Sequence, residues 1–356
     1  MLRKILVSKV SRRFDRISMP YKINLFITYS CNSRCNTCFI WKKYMHKPSL
    51  KREELNTIQW KTFFEKLGDR LYWVSISGGE PLLRKDLVEI ISSMNMKNLW
   101  VLSINTNGQL PEKTYETIKE LLDILPKKIR FFLAVSLLGS ENTYKLVSGK
   151  ESAFKTSEET YKKLKPLQAK HRNFYLEREL FVNKYNLNEI GKIVDKLNED
   201  KIPFTLTFAQ ESGYYDNVGK CVDFSMQERR RLVEILKSVY IPIYRKEDIV
   251  KRAFKEIAIK FFEGEEIPKC YSLWSSVRID PYGNIHPCIM RNEIIGNLVE
   301  NGMDLEKTMM NSKILKEIQG KIKDSGCSCW TPCEAYQTIL QNPSLLFRFL
   351  KQSSRA

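Results

Sequence analysis

Cys31, Cys35 and Cys38 stand at C-x3-C-x2-C spacing, and nothing else in the chain constrains its fold as tightly. Before them runs Lys22-Ile23-Asn24-Leu25-Phe26-Ile27-Thr28, a short segment rich in β-formers, so the cysteines occupy a loop that leaves the end of a strand. Three thiolates on one loop suit a soft metal or an iron–sulfur cluster. One ligand short of a full set, such a cluster keeps an iron open to a small molecule, much as a catalytic zinc keeps an open position. A zinc knuckle completed by a distant fourth ligand, with His46 as the candidate, is the competing reading of the triplet.

A second stretch bears on that choice. Gly78-Gly79-Glu80-Pro81 follows another strand-like run, Leu71 to Ser77. Paired glycines after a strand allow close backbone approach to a ligand, and the glutamate adds a charged acceptor. The cysteine triplet after the first strand and GGEP after the second together resemble the radical S-adenosylmethionine (radical SAM) superfamily. The resemblance implies a 4Fe-4S cluster on Cys31, Cys35 and Cys38, whose open iron takes the amino and carboxylate groups of S-adenosylmethionine. Gly78, Gly79, Glu80 and Pro81 then hold the methionine end. Thr37 departs from the aromatic residue common before the third cysteine in that family.

The chain has 356 residues, of which 43% are hydrophobic, enough for one large domain and a small one. Residues 1–20 are basic and lack the continuous apolar centre of a secretory signal, and no run is long enough to span a membrane. Nine cysteines, mostly grouped, favour metal ligation over disulfides and a reducing cytoplasm. A formal net charge of +18 suits nucleic acid, anionic lipid or an acidic peptide, and equally a solvated basic surface. Leu2, Leu6, Val10, Phe14 and Ile17 recur at helical spacing among Arg3, Lys4, Lys9, Arg12, Arg13 and Arg16. Residues 1–20 therefore read as a basic amphipathic helix, expected to cap the fold with its apolar stripe; peripheral contact with an anionic membrane is the alternative. The tail 336–356 repeats the theme with Leu345, Leu346, Phe347, Phe349, Leu350, Lys351 and Arg355.

From residue 21 to 215 strand-like and helix-like segments alternate. The strands are the two above, then Leu99–Asn105, Ile129–Ser136, Phe174–Val182 and Phe204–Phe208. Helices are expected near 51–67, 85–95, 112–125, 154–170 and 187–200. This is an α/β chain of parallel βα units, as an open sheet or a barrel. The family resemblance selects a partial six-stranded (β/α) barrel with its chemistry at the C-terminal strand ends, where barrel sites lie in general. Candidate cofactor contacts there are Asn105, Ser136, which resembles a position that touches the cofactor ribose, and Arg178, a possible carboxylate binder. Leu138 stands where many relatives carry aspartate. Residues 216–265 read as a helical bridge.

Residues 266–335 hold Cys270, Cys288, Cys327, Cys329 and Cys333. Cys270 and Cys288 flank a β-hairpin over Val277–Ile285 with its turn at Pro281–Asn284; His286 is expected on the hairpin surface. Zinc is a rival occupant on the cysteines alone. C-x12-G-x4-C before a cysteine-rich loop resembles the SPASM and twitch extensions of radical SAM enzymes, and five cysteines match the single-cluster type. That resemblance implies one auxiliary iron–sulfur cluster, of 4Fe-4S type, on Cys270, Cys288, Cys329 and Cys333, with Cys327 the rival for one place. The function implied is oxidoreductase chemistry: an external donor such as a flavodoxin or ferredoxin supplies an electron, and S-adenosylmethionine is cleaved reductively to a 5′-deoxyadenosyl radical. That radical takes hydrogen from a substrate, with peptide modification favoured over a small-molecule or lipid-linked substrate. The alternative is a non-catalytic iron–sulfur or zinc protein acting in electron transfer or nucleic-acid binding.

Overall fold

Strand β1 (Lys22–Phe26) turns Ile23 and Leu25 to one face and Lys22, Asn24 and Phe26 to the other, and its neighbours repeat the alternation. These are β2 (Trp73–Ser77), β3 (Val101–Thr106), β4 (Arg130–Leu137), β5 (Phe174–Val182) and β6 (Phe204–Phe208). In the computed structural model, which describes residues 1–324, 327 and 329–353 with side chains as far as Phe349, the six strands are parallel and paired in chain order. Their outer face, with Ile23, Leu25, Val74, Ile76, Leu102, Ile104, Phe131 and Leu133, is buried in the largest hydrophobic cluster. The expected architecture is thus observed, as an open sheet rather than a closed ring.

The helices are α1 (Leu2–Arg13), α2 (Lys43–His46), α3 (Thr57–Leu67), α4 (Leu87–Ser92), α5 (Pro111–Ile124), α6 (Glu141–Ser148), α7 (Ala153–Lys170) and α8 (Ile190–Glu199). They are followed by α9 (Met226–Ser238), α10 (Asp248–Glu263), α11 (Leu305–Met310), α12 (Leu315–Asp324), α13 (Pro332–Leu340) and α14 (Pro343–Ser353). Helix α3 starts six residues later than its composition suggests, because Asn56 and Gln59 form a capping box there. Helix α6 was not anticipated; Gly149, at φ +68°, ends it in the left-handed conformation.

The hairpin forms as β7 (Ser276–Ile279) and β8 (Asn284–His286), with β9 (Gly296–Asn297) beyond. Its first strand pairs in parallel with β1, Lys22 opposite Ser276 and Leu25 opposite Ile279, so the cysteine-rich region continues the sheet of the core. His286 is not a surface residue: it is buried, with Nε2 3.3 Å from Asp280 Oδ2, because the hairpin lies inside the sheet and not at its rim.

Helix α13 rests on the inner face of the sheet. Lys22 Nζ donates to the Cys333 carbonyl at 2.6 Å, Asn24 Nδ2 reaches Glu334 Oε1 at 3.5 Å, and Ser276 Oγ donates to Glu334. Helix α1 reverses the expected orientation. Ser8 and Ser11 are buried, while Leu2 is 81% and Phe14 59% exposed, because its inward contacts are polar. Gln341 Nε2 donates to Ser8 Oγ, and Arg12 Nε donates to the Cys270 carbonyl at 3.0 Å. The Leu350, Lys351 and Arg355 side chains of the tail lie outside the described residues.

A candidate two-centre active site at the strand ends

The loop after β1 is fixed from several sides. Glu54 accepts from Thr28 Oγ1 and from the Tyr29 amide, both at 2.8 Å, and from the Tyr44 hydroxyl. From the turn after β3, Asn107 Nδ2 donates to Asn32 Oδ1 at 2.7 Å and Gln109 Nε2 to Ser33 Oγ at 2.6 Å. The end of α6 takes the Arg34 and Asn36 amides on the Ser148 and Val147 carbonyls, each at 3.0 Å. Asn217 Nδ2 donates to the Thr37 carbonyl at 2.8 Å. Arg84 Nη1 donates to the Ile27 carbonyl at 2.8 Å, while its Nε and Nη2 grip Asp86. The sequence pattern did not single out Glu54, Arg84, Gln109 or Asn217; a buried or half-buried polar residue becomes legible only once its partners are placed.

The three thiols of this loop are partly buried, and burial pushes Cys31 up to about 11 and Cys38 up to about 12. Cys35 is raised further by burial and by its neighbours Cys38 and Cys31. Thiolates gathered in such a place need a cationic partner, which is what a metal cluster provides.

Gly78 and Gly79 leave the end of β2 pressed against this loop. The Gly79 and Glu80 amides donate to the Thr28 and Ser30 carbonyls at 2.8 Å. A Cβ on Gly79 would lie 2.2 Å from the Ser30 carbonyl oxygen, and Gly78 has φ +135°. The glycines therefore serve first to join two backbones. Glu80 points inward and accepts from Leu82 N at 3.1 Å, Thr106 Oγ1 at 2.9 Å and Asn107 N at 2.8 Å. Burial pushes its pKa up to about 7 against those three hydrogen bonds. Pro81 opens a buried turn, Pro81–Leu83.

On the inner face, Asn105 Nδ2 donates across the small Ala134 to Glu179 Oε2 at 2.9 Å, and Thr207 Oγ1 donates to Glu179 Oε1 at 2.9 Å. Ser136 is opposite Glu179 on the same layer. Arg178 is on the other face. It packs under α7, where its guanidinium pairs with Glu158, donates to Ser157 Oγ at 3.0 Å and covers the Tyr161 ring. Period-two alternation along β5 sends Glu177 and Glu179 inward and Arg178 outward.

The later cysteines form a second group. Cys270 and Cys288 are buried, and the Cys270 thiol hydrogen-bonds Cys327. That bond, with Arg291 nearby, holds Cys327 down to about 6. Cys288 and Cys329 are both raised by burial and feel Cys327. Cys333 feels Lys22, Glu334 and Glu179, and Glu334 acts on Cys270, Cys288 and Cys329 as well. Cys333 borders the aromatic cluster of Phe26, Tyr29 and Tyr214 that Cys38 also borders. Among the described residues, no three His, Cys, Asp or Glu side chains are placed to hold a single metal ion.

A sequence model of the Radical SAM superfamily matches residues 25–197, from β1 through α8. The chain belongs to this superfamily. Its relatives include GTP 3′,8-cyclase of Haemophilus ducreyi, 23% identical over 87% of each chain. The sporulation killing factor maturation protein SkfB of Bacillus subtilis is 25% identical over 50% of this chain and 40% of its own. Among solved structures, native anSMEcpe with bound AdoMet superposes with a TM-score of 0.55 at 15% identity, over 95% of this chain and 100% of that one. The form that also holds the Cp18Cys peptide gives 0.52, again at 15% identity, over 95% and 99%. The chain is a radical SAM enzyme, and the family implies a 4Fe-4S cluster and S-adenosylmethionine.

Proposed function

We propose that this enzyme modifies a peptide and carries a second iron–sulfur cluster on Cys270, Cys288, Cys327 and Cys329. When bound at Cys31, Cys35 and Cys38, a 4Fe-4S cluster supplies the electron that cleaves S-adenosylmethionine into methionine and a 5′-deoxyadenosyl radical. The chain's part is to orient and to exclude water. The loop braced by Glu54, Asn107 and Gln109 fixes the three thiolates. The backbone of Gly78 to Pro81 borders the loop and is the place for the methionine end. Asn105 and Ser136 face the same hollow and are the candidates for the nucleoside, whereas Arg178 serves α7. Cys327, hydrogen-bonded to Cys270, is the rival ligand we place ahead of Cys333, which the family resemblance puts in the set. A flavodoxin- or ferredoxin-type donor in a reducing cytoplasm provides the electron.

The observation that carries a peptide substrate is Glu179 on the inner wall. Glu179 has only neutral partners among its hydrogen bonds, Asn105 and Thr207. Of the cations near it, Lys251 is paired with Glu177 at 2.5 Å, while Arg278 and Lys22 hydrogen-bond the carbonyls of Cys288, at 3.1 Å, and Cys333. A peptide meets Glu179 with an N–H donor or a cation, which a triphosphate group does not supply. SkfB and anSMEcpe support the same reading by their names and bound peptide; the cyclase relatives, which match along most of the chain, favour GTP. Anaerobically reconstituted enzyme, given dithionite and S-adenosylmethionine, should oxidise or crosslink a short peptide encoded beside it, seen by mass, and leave GTP unchanged. Turnover of GTP with no peptide modified would reverse the assignment.

A further inference from the structure

Helix α1 is bound to the body by its polar side. Ser8 and Ser11 are buried, Arg12 reaches the Cys270 carbonyl and covers Tyr271 and Trp274, and Lys4 lies over Tyr72. What it presents to solvent is Leu2, Leu6, Val7, Val10 and Phe14, between 41% and 81% exposed. Arg3, Lys9 and Arg13 are exposed on the same helix, and Arg16 follows it. On a helical wheel, Arg3, Lys9 and Arg13 fall within or beside the arc of those five apolar residues. Arg13 and Arg16 lie over the Phe14 ring, 5.7 and 5.9 Å from its centre.

We propose that this face docks the enzyme on an anionic lipid bilayer. Apolar side chains enter the acyl boundary while the guanidinium and ammonium groups meet lipid phosphates. A second copy is a poor occupant, because the same cations would face each other on a chain of net charge +18. No described helix is long and apolar enough to cross a membrane, so attachment is peripheral. This inference is independent of the substrate.

Co-sedimentation with phosphatidylcholine vesicles, with and without phosphatidylglycerol, tests it on the full chain without turnover. The expected result is pelleting with the anionic vesicles at low ionic strength, lost as salt rises, and none with the neutral ones. Arg3→Glu and Arg13→Glu should each weaken binding about fivefold or more, the equivalent of about 1 kcal/mol per cation. Leu6→Gln with Phe14→Gln should weaken it comparably with an unchanged thermal midpoint, since both side chains are already exposed. Arg12 is left intact because it holds the helix to the body. Absence of pelleting with anionic vesicles overturns the proposal. So does salt-sensitive pelleting that ignores Leu6 and Phe14, or concentration-dependent dimerisation through the same residues in place of vesicle binding.

Discussion

Gly79 has no room for a side chain, because the Ser30 and Tyr29 carbonyl oxygens stand 2.2 and 2.8 Å from where a Cβ would be. Gly79→Ala should push the cysteine loop from its seat, cost about 1–3 kcal/mol of stability, and abolish 5′-deoxyadenosine release. Thermal melting and product assay read the two effects. Glu80 makes a pH prediction. Its pKa is about 7 in the fold against an ordinary 4.5, so the folded state holds its proton longer than the unfolded state does. Stability should therefore be highest below about pH 4.5 with respect to this group and fall as pH rises to about 7. Glu80→Gln should flatten that fall relative to wild type in melting curves at a series of pH values. The cysteines and GGEP stand out in the sequence because their residue types and order suggest a chemistry directly. The place of Arg178 was not legible: a charge in an apolar strand shows that a partner is needed, but only strand register shows on which face it stands.

At the scale of elements, strands β5 and β6 were readable to the residue from their apolar runs, and the helices of the core to within about two turns, except α2 and α6, which were not expected. The pairing of β7 with β1 was hidden, because about 250 residues separate them and the apolar pattern of a strand does not name its neighbour. That pairing has a consequence. Val277 and Ile279 share the main hydrophobic cluster with Ile23 and Leu25, and α13 covers Lys22 and Asn24 on the other face. A chain ending at residue 265 should expose the edge of β1 and fail to fold as a soluble core, read by recovery after centrifugation and by circular dichroism. A stable, cooperatively melting fragment would show that the cysteine-rich region is a detachable module. The inward side of the N-terminal helix was hidden for the same reason. The apolar residues of this helix were plain in sequence, but the polar contacts Ser8–Gln341 and Arg12–Cys270 decide which side is inward, and their partners lie far along the chain.

Over the whole molecule, one sheet joins the two cysteine groups: the first follows β1, and the later cysteines lie around the β7–β8 hairpin and the start of α13. Cys38 and Cys333 border one aromatic cluster, whereas Cys270 and Cys327 pack with the main hydrophobic cluster. The proposed function gives the two groups separable duties: the first holds the cluster that cleaves S-adenosylmethionine, and the second serves the substrate. Replacing Cys288 by Ala should lower iron by about one cluster while cleavage persists. The most direct test is therefore 5′-deoxyadenosine release from S-adenosylmethionine and dithionite, measured under anaerobic conditions for wild type, Cys35→Ala and Cys288→Ala at matched protein concentration. Wild type and Cys288→Ala should release 5′-deoxyadenosine and Cys35→Ala should not; undiminished release by Cys35→Ala would show that the cleaving cluster is not held by Cys31, Cys35 and Cys38.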